Sequence, residues 1–168
     1  SYPQLQGSTH NVLADSYMSQ GQYSHARIHL EQAIDIWTSN SIHQNVSIAL
    51  NNLGNLSNRE GRFAEANVSC QRARAMDQQN YPEGYLGLAF PLSCIGEAQT
   101  GLGEYQAAIT ALSRAYALRA RAANPHPGGI AWTRWLLGRV MWLQDADSVE
   151  AKAHIRFAHQ SFTEQLPG

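Results

Sequence analysis

The stretch that decides the fold is LGNLSNREGRFAEANVSCQRA, residues 53–73. Its marks are a Leu-Gly pair, a turn glycine at Gly61, an aromatic residue at Phe63, and small residues at Ala66 and Ala73. The same spacing recurs in IGEAQTGLGEYQAAITALSRA, residues 95–115, where the pair is Ile95-Gly96, and in LADSYMSQGQYSHARIHLEQA, residues 13–33, where it is Leu13-Ala14. A period of about 40 residues in three aligned copies indicates stacked helix-turn-helix units.

A fourth copy is weaker. Leu137 and Gly138 keep the Leu-Gly pair, but the turn glycine is lost and Ala151 follows after one extra residue. Small residues at equivalent places let paired helices approach closely, and we expect this of Ala14, Gly54, Gly96, Gly138, Ala26, Ala66, Ala108 and Ala151. Gly21, Gly61 and Gly103 should end the first helix of a unit in the left-handed conformation.

These residues resemble the tetratricopeptide repeat family, in the longer variety found in kinesin light chains and in repeat arrays of bacterial signalling proteins such as serine/threonine kinases. The resemblance covers nearly the whole chain. It implies an all-α fold, an α-α superhelix of about four helix-turn-helix units. We expect one array over residues 1–168, with units at about 7–40, 41–80, 81–124 and 125–166.

The coarse pattern predicts eight helices, at 8–20, 23–38, 42–60, 63–79, 83–101, 105–122, 129–143 and 148–164. Pro91 falls inside the fifth, where it removes a backbone donor. We therefore expect either a kink near 87–91 or a later helix start. Cys70 and Cys94 make no metal motif, and we expect them to be free buried thiols.

Composition limits the functional classes. The chain has 168 residues, 43% of them hydrophobic, and a net charge of −1. This charge gives no electrostatic footprint for nucleic acid, and no run of apolar residues is long enough for a membrane span. The N-terminal residues lack the pattern of a signal peptide, so we expect a cytoplasmic protein. We also expect the sequence to be a segment of something longer.

Binding in such an array is expected on the concave surface, which the first helix of each unit lines. The second unit presents asparagines there, an unusual concentration for a solvated face: Asn51, Asn52, Asn55 and Asn58, followed by Arg59. An asparagine side chain carries both a donor and an acceptor, so it can bind the backbone of an extended peptide whatever the peptide's sequence. The alternative is that these amides are merely solvated.

Neighbouring inner faces supply further candidates for peptide binding: Asn11, Asp15, Glu97, Trp132, Trp135 and Arg139. Trp132, Trp135 and Trp142 follow one another at intervals of three and seven residues, so they share one side of the seventh helix. A tryptophan stripe of this kind forms core, a ligand anchor or a dimer interface. The sequence leaves these three readings open.

Repeat proteins that grip the acidic C-terminal tails of chaperones use Lys, Asn and Arg to clamp a carboxylate. The matching places here hold Asn11, Asp15, Asn52, Phe90 and Cys94, of which only Asn52 fits. His25 and His29 have a spacing that can hold a metal, but no further ligand completes the set. No nucleotide loop, nucleophile elbow or carboxylate pair is apparent, so we expect neither an enzyme nor a cofactor nor a metal site.

The sequence therefore predicts a non-catalytic module that binds a protein or an extended peptide in its groove, within a larger bacterial signalling or scaffold protein. The alternative is a structural role, as a self-associating element that forms a homodimer or as an intramolecular arm that regulates a neighbouring catalytic domain. Neither nucleic acid nor a membrane is an expected partner.

Overall fold

The computed structural model describes residues 2–164, and this range is all-α. Within it lie eight α-helices and a short 3-10 turn at Leu86–Leu88. The helices are α1 (Tyr2–Ser19), α2 (Tyr23–Ser39), α3 (His43–Arg59), α4 (Phe63–Asn80), α5 (Ala89–Gly101), α6 (Tyr105–Ala120), α7 (Pro127–Gln144) and α8 (Val149–Glu164).

The helices fall into two compact units, Ser1–Pro82 and Glu83–Gly168. In the first unit α1 packs on α2, α2 on α3 and α3 on α4, and in the second α5 to α8 follow the same order. Each unit is thus two helix-turn-helix pairs, which confirms the predicted fold class of about four such pairs. The single array over 1–168 stays a prediction, and residues 165–166 of its fourth unit lie outside the described range.

Small residues bring the paired helices together as the repeat pattern predicts. Ala14, Ala26, Ala66, Ala108 and Ala151 have no exposed surface. A Cβ added to Gly96 would lie 2.4 Å from Cγ of Leu112 on α6, and one added to Gly138 would lie 2.8 Å from Cγ1 of Ile155 on α8. No real Cβ fits at such distances, so these two positions require glycine for the helix pairs to close.

The predicted turn glycines all have positive φ angles, +72° at Gly21, +74° at Gly61 and +79° at Gly103. Residues with a side chain rarely adopt this conformation, which lets the chain leave the first helix and begin the second within three residues. The aromatic residues just beyond, Tyr23 and Tyr105, pack half-buried against the cores of their units.

Two helix starts differ from the sequence expectation. α1 begins at Tyr2 rather than near residue 8, because Pro3 sits in its first turn, where no helical donor is needed. α5 begins at Ala89, after the 3-10 turn, so Pro91 lies in its first turn as well. Of the two outcomes that we expected for Pro91, the later start is therefore the correct one.

A charged network joins the two repeats of the first unit. Nη2 of Arg27 on α2 lies 2.5 Å from Oε2 of Glu60 and 3.1 Å from Oγ of Ser57, at the end of α3. Arg62 binds the second oxygen of Glu60 at 2.8 Å. Ser57 is fully buried, so the arginine closes the seam between α2 and the turn after α3.

The expectation for the cysteines was wrong. Cys70 and Cys94 are buried as predicted, with no more than 1% of their surface exposed, but neither is a free thiol. Spacing in the sequence carries no information on which side chains the fold brings together, so the expectation had rested only on the assumed compartment.

Candidate binding surfaces

An asparagine bridge joins the first helices of the two repeats in the first unit. Nδ2 of Asn52 on α3 donates to Oδ1 of Asn11 on α1 at 3.1 Å, and both side chains are half-buried. The bridge uses one carbonyl and one amide N–H. It leaves the side-chain N–H groups of Asn11 and the side-chain carbonyl of Asn52 without partners among the described residues, so the pair keeps both a donor and an acceptor.

The same arrangement remains if both amides are turned over, because one carbonyl and one NH₂ group are always left. Asn55 follows Asn52 by about one turn of α3 and is half-buried, and its side-chain amide forms no hydrogen bond within residues 2–164. The face of α1 and α3 thus carries three side-chain amides that can bind backbone groups of another chain. We call this the amide face, defined by Asn11, Asn52 and Asn55.

Two charged residues flank the amide face. Asp15 lies one turn beyond Asn11 on α1, and Arg59 lies one turn beyond Asn55 on α3, and both are exposed. Removal of water from around Asp15 raises the pKa of its carboxyl, and the positive charge of Arg59 opposes that rise. The two groups therefore attract one another without a direct ion pair, which leaves both available to charges on a ligand.

Two asparagines of the predicted row lie elsewhere. Asn51 and Asn58 are buried, with 9% and 7% of their surface exposed, so our expectation that they line an accessible face was wrong. The reason is helical geometry. Asn51 and Asn58 are seven residues apart and share a buried stripe of α3 with Ser47, whereas Asn52 and Asn55 share the exposed stripe with Ile48 and Arg59.

A stacked aromatic pair lies on α7 of the second unit, with one ring exposed and the other half-buried. The indole rings of Trp132 and Trp135 lie 5.1 Å apart at 20° to one another, and the guanidinium of Arg139 lies 5.7 Å from the Trp135 ring. Trp135 also packs against the core of its unit, while 43% of Trp132 is exposed. Trp135 is thus partly a core residue, whereas Trp132 belongs to the accessible surface.

Trp142 is separate from this pair. It is 48% exposed and lines a shallow depression with Lys152, Ile155 and Arg156 of α8. Glu97, the remaining predicted residue, is half-buried on α5. The structure therefore groups the candidates into the amide face with its two flanking charges, on the first unit, and the Trp132–Trp135–Arg139 strip, on the second.

The histidines do not form the pair that their spacing allows. Nδ1 of His29 lies 2.9 Å from Nδ1 of His10 on α1, while the Tyr17 ring stacks on the rings of both His25 and His29. His10 is partly desolvated next to His29, and both effects lower its pKa. In the described part of the chain, no group of three or more His, Cys, Asp or Glu side chains is placed to hold a metal ion.

Residues 5–84 match the family model for the tetratricopeptide repeat. These residues are tetratricopeptide repeats. No curated protein sequence matches the chain. None of the helices within residues 2–164 has the length and apolar character needed to cross a membrane.

Solved structures with the same fold extend the tetratricopeptide repeat likeness to the second unit. BtubC (BKLC) from P. vanneervenii superposes with a TM-score of 0.80 at 21% identity, over 99% of this chain and 68% of that one. A putative kinesin light chain from Podosopora anserina, with nearly identical TPR-like repeats, gives 0.69 at 18% identity, over 94% and 75%. These neighbours confirm the kinesin-light-chain-like repeat that the sequence predicted.

A third neighbour carries a ligand. The first TPR of Spaghetti (RPAP3), bound to the HSP90 peptide SRMEEVD, has a TM-score of 0.57 at 17% identity, over 95% of both chains. At such identities the likeness concerns the fold. Tetratricopeptide repeats as a class mediate protein-protein interaction, and this neighbour shows one that binds a peptide.

Proposed function

We propose that this chain is a non-catalytic module that binds an extended segment of a partner protein across the amide face of its first unit. The single observation that carries the proposal is the Asn52–Asn11 bridge, which joins two partly exposed amides and still leaves each of them a group that can bind a ligand. A peptide backbone offers the complementary acceptor and donor at every residue. Such recognition is independent of the peptide's sequence.

Preorganisation supports this role. A free asparagine loses side-chain entropy when a ligand binds, but amides already held by each other have lost part of it. Each net hydrogen bond contributes about 0.5–1.5 kcal/mol, so three amides supply only a few kcal/mol, whereas a micromolar complex needs about 8. Other contacts must supply the remainder, and Asp15 and Arg59 are placed to select charges on the ligand.

The Trp132–Trp135–Arg139 strip is part of the proposal as a second contact surface, on the second unit. Exposed tryptophan and arginine are the side chains that most often dominate binding energy at protein interfaces. Glu97 is the acidic residue of the second unit that we propose for contact with the partner. The amides of Asn51 and Asn58 contribute through the packing of α3, since they are buried.

The biological setting in the proposal comes from the sequence: a bacterial signalling or scaffold protein in the cytoplasm, with no nucleic-acid or membrane partner. The cysteines weigh against the cytoplasm, because thiols stay reduced there and neither Cys70 nor Cys94 is free. Measuring the thiol content of the denatured protein as purified from cells, without reductant, tests this part. Two free thiols per chain support a cytoplasmic location.

Selection from a displayed library of protein fragments tests the binding proposal. The wild-type chain should enrich extended segments, and the double variant Asn11→Ala/Asn52→Ala should not. Asn40→Ala is the matched control, because Asn40 is exposed and its side-chain amide donates only to the carbonyl of Ile36, in the helix that ends just before it. Equal enrichment by the wild type and the double variant would overturn the assignment of the amide face.

A second candidate function is self-association, which an apolar stripe on α1 favours. Tyr2, Leu5 and Val12 are 78%, 69% and 65% exposed and lie at helical spacing. A homodimer, or docking of a neighbouring domain in a regulatory arm, would cover them. Light scattering on the wild type and on Leu5→Glu tests the homodimer: a dimer that the substitution dissociates supports it, and a wild-type monomer at all concentrations excludes it.

A further inference from the structure

A pocket in the second unit lies apart from the surfaces described above. It is a partly open pocket with a volume of about 390 Å³, bordered by the 3-10 turn, the start of α5, the end of α6 and the loop into α7. Leu86, Phe90 and Ala122 give it mostly apolar walls, and Arg119, Asn124 and His126 also line it. Its size lies in the lower part of the range for small-molecule sites.

The cation in this pocket has no anionic partner. Nη1 of Arg119 donates to the carbonyl of Gly129 at 3.0 Å and Nη2 to that of Ala89 at 3.4 Å, while Nε is buried without an acceptor. No carboxylate of residues 2–164 forms an ion pair with it. Desolvation lowers the pKa of Arg119, which is the response of a cation that lacks a compensating charge.

The surroundings hold the guanidinium in place rather than neutralise it. Its Cζ lies 5.0 Å from the centre of the Phe90 ring. A Cβ on Gly129 would lie 2.9 Å from Nη1 of Arg119, which is too close for an ordinary contact. The absence of a side chain at Gly129 therefore gives the guanidinium the space that it occupies. Nδ1 of His126 accepts from the N–H of Gly129 at 3.1 Å, which leaves Nε2 of the neutral ring as a donor at the pocket wall.

We propose that this pocket binds a small monocarboxylic acid whose body is aromatic or branched aliphatic. The carboxylate would supply the anion that Arg119 lacks, since a guanidinium has five N–H groups and the two carbonyls use two of them. Asn124 and His126 offer further donors, and the apolar body would fill the space between Leu86 and Phe90. This site is independent of the amide face, which belongs to the first unit.

Calorimetric titration of the full chain with 3-phenylpropionate, and with 3-phenylpropionamide as the uncharged analogue, tests the proposal. The acid should bind, and the amide should bind at least about tenfold more weakly, because a hydrogen bond to a charged group is worth more than one to a neutral group. The comparison uses the wild-type protein alone, so it does not depend on whether an Arg119 variant folds.

Three variants extend the test. Arg119→Gln should weaken binding of the acid about tenfold or more. Phe90→Ala, which truncates an exposed apolar wall, should weaken binding of both the acid and the amide. Arg121→Gln should change nothing, because Arg121 lies in the adjoining depression with Glu83 and Arg114. Equal affinity for acid and amide, no binding of the acid at millimolar concentration, or binding only of peptides with a free C-terminus would each overturn the proposal.

Discussion

The Nδ1 atom of His154 on α8 accepts a hydrogen bond from Nε of Arg134 on α7 at 3.0 Å. The guanidinium of Arg134 also stacks on the Phe157 ring, 3.8 Å from its centre, and the Tyr116 ring of α6 meets the imidazole edge-on. Burial lowers the pKa of His154, Arg134 lowers it further, and Glu150, 3.9 Å from Nε2, opposes both. His154 is therefore a neutral acceptor in the folded protein.

This relationship predicts a loss of stability in mild acid. The unfolded chain titrates this histidine at about 6.5 and the folded chain at a lower value, so between the two the unfolded state binds more protons. The stability that neutral His154 contributes to folding is complete above pH 6.5. It is lost as the pH falls through the pKa of the folded protein, by at most about 1.4 kcal/mol per pH unit. His154→Gln should flatten this part of the curve.

Urea unfolding between neutral pH and pH 5 measures the effect. His159→Gln is the control, since His159 is exposed on the same helix and should leave the slope as in the wild type. A slope that stays the same in His154→Gln would mean that the protonation of this residue is not coupled to folding.

Removing Arg27 should weaken the seam between the two repeats of the first unit. Arg27→Met keeps the apolar stem but leaves Oε2 of Glu60 and the hydroxyl of the buried Ser57 without their donor, while Arg62 still binds Oε1 of Glu60. We expect a loss of about 1–2 kcal/mol in the free energy of unfolding, since partial exposure and the second arginine moderate it. Arg72→Met, on the exposed side of α4, should cost less than about 0.5 kcal/mol. Equal losses in the two variants would show that the network does not stabilise the fold.

Gly96→Ala should destabilise the α5–α6 pair because its methyl group would overlap the side chain of Leu112. Overpacking of this kind costs about 1–3 kcal/mol. The same change at Gly101, exposed at the end of α5, should cause no loss, since alanine favours helix. Thermal unfolding of both variants decides the matter, and a stable Gly96→Ala protein would mean that the helices can move apart without penalty.

The two stacked tryptophans should respond differently to truncation. Trp135→Ala removes a partly buried ring that packs against a core cluster of the second unit, and we expect a loss of about 2–4 kcal/mol. Trp132→Ala should cost less than about 1 kcal/mol, because its ring lies at the surface. If Trp132→Ala proves the more destabilising in urea unfolding, then the core and surface roles assigned to the two rings are reversed.

The elements that sequence predicted well are those in which one residue type is required by local geometry. A left-handed turn or a close helix contact admits glycine or alanine, so Gly21, Gly96 and Ala108 mark the repeats directly. The start of α5 was less certain from the sequence, because Pro91 fits both a kinked helix and the first turn of a shorter one.

The binding surface was predicted only in part, because the sequence shows neither which side of α3 is buried nor which side chains of different helices meet. Asn51 and Asn52 differ by 100° around a helix, and that difference decides which is buried, but the sequence alone did not place the edge of the exposed stripe. Asn11 and Asn52 were both candidates, yet nothing in the sequence indicated that they bond. The pocket at Arg119 was missed, because a cation near the end of a helix usually faces water.

The central claim is that the amide face binds the backbone of an extended segment. Peptide titration into the wild type and into Asn11→Ala/Asn52→Ala, using a segment selected on the wild type, tests it most directly. We predict that the double variant binds about 1–3 kcal/mol more weakly, as expected for two or three lost hydrogen bonds, with an unchanged melting temperature and with Asn40→Ala binding like the wild type. Unchanged affinity in the double variant would contradict the claim.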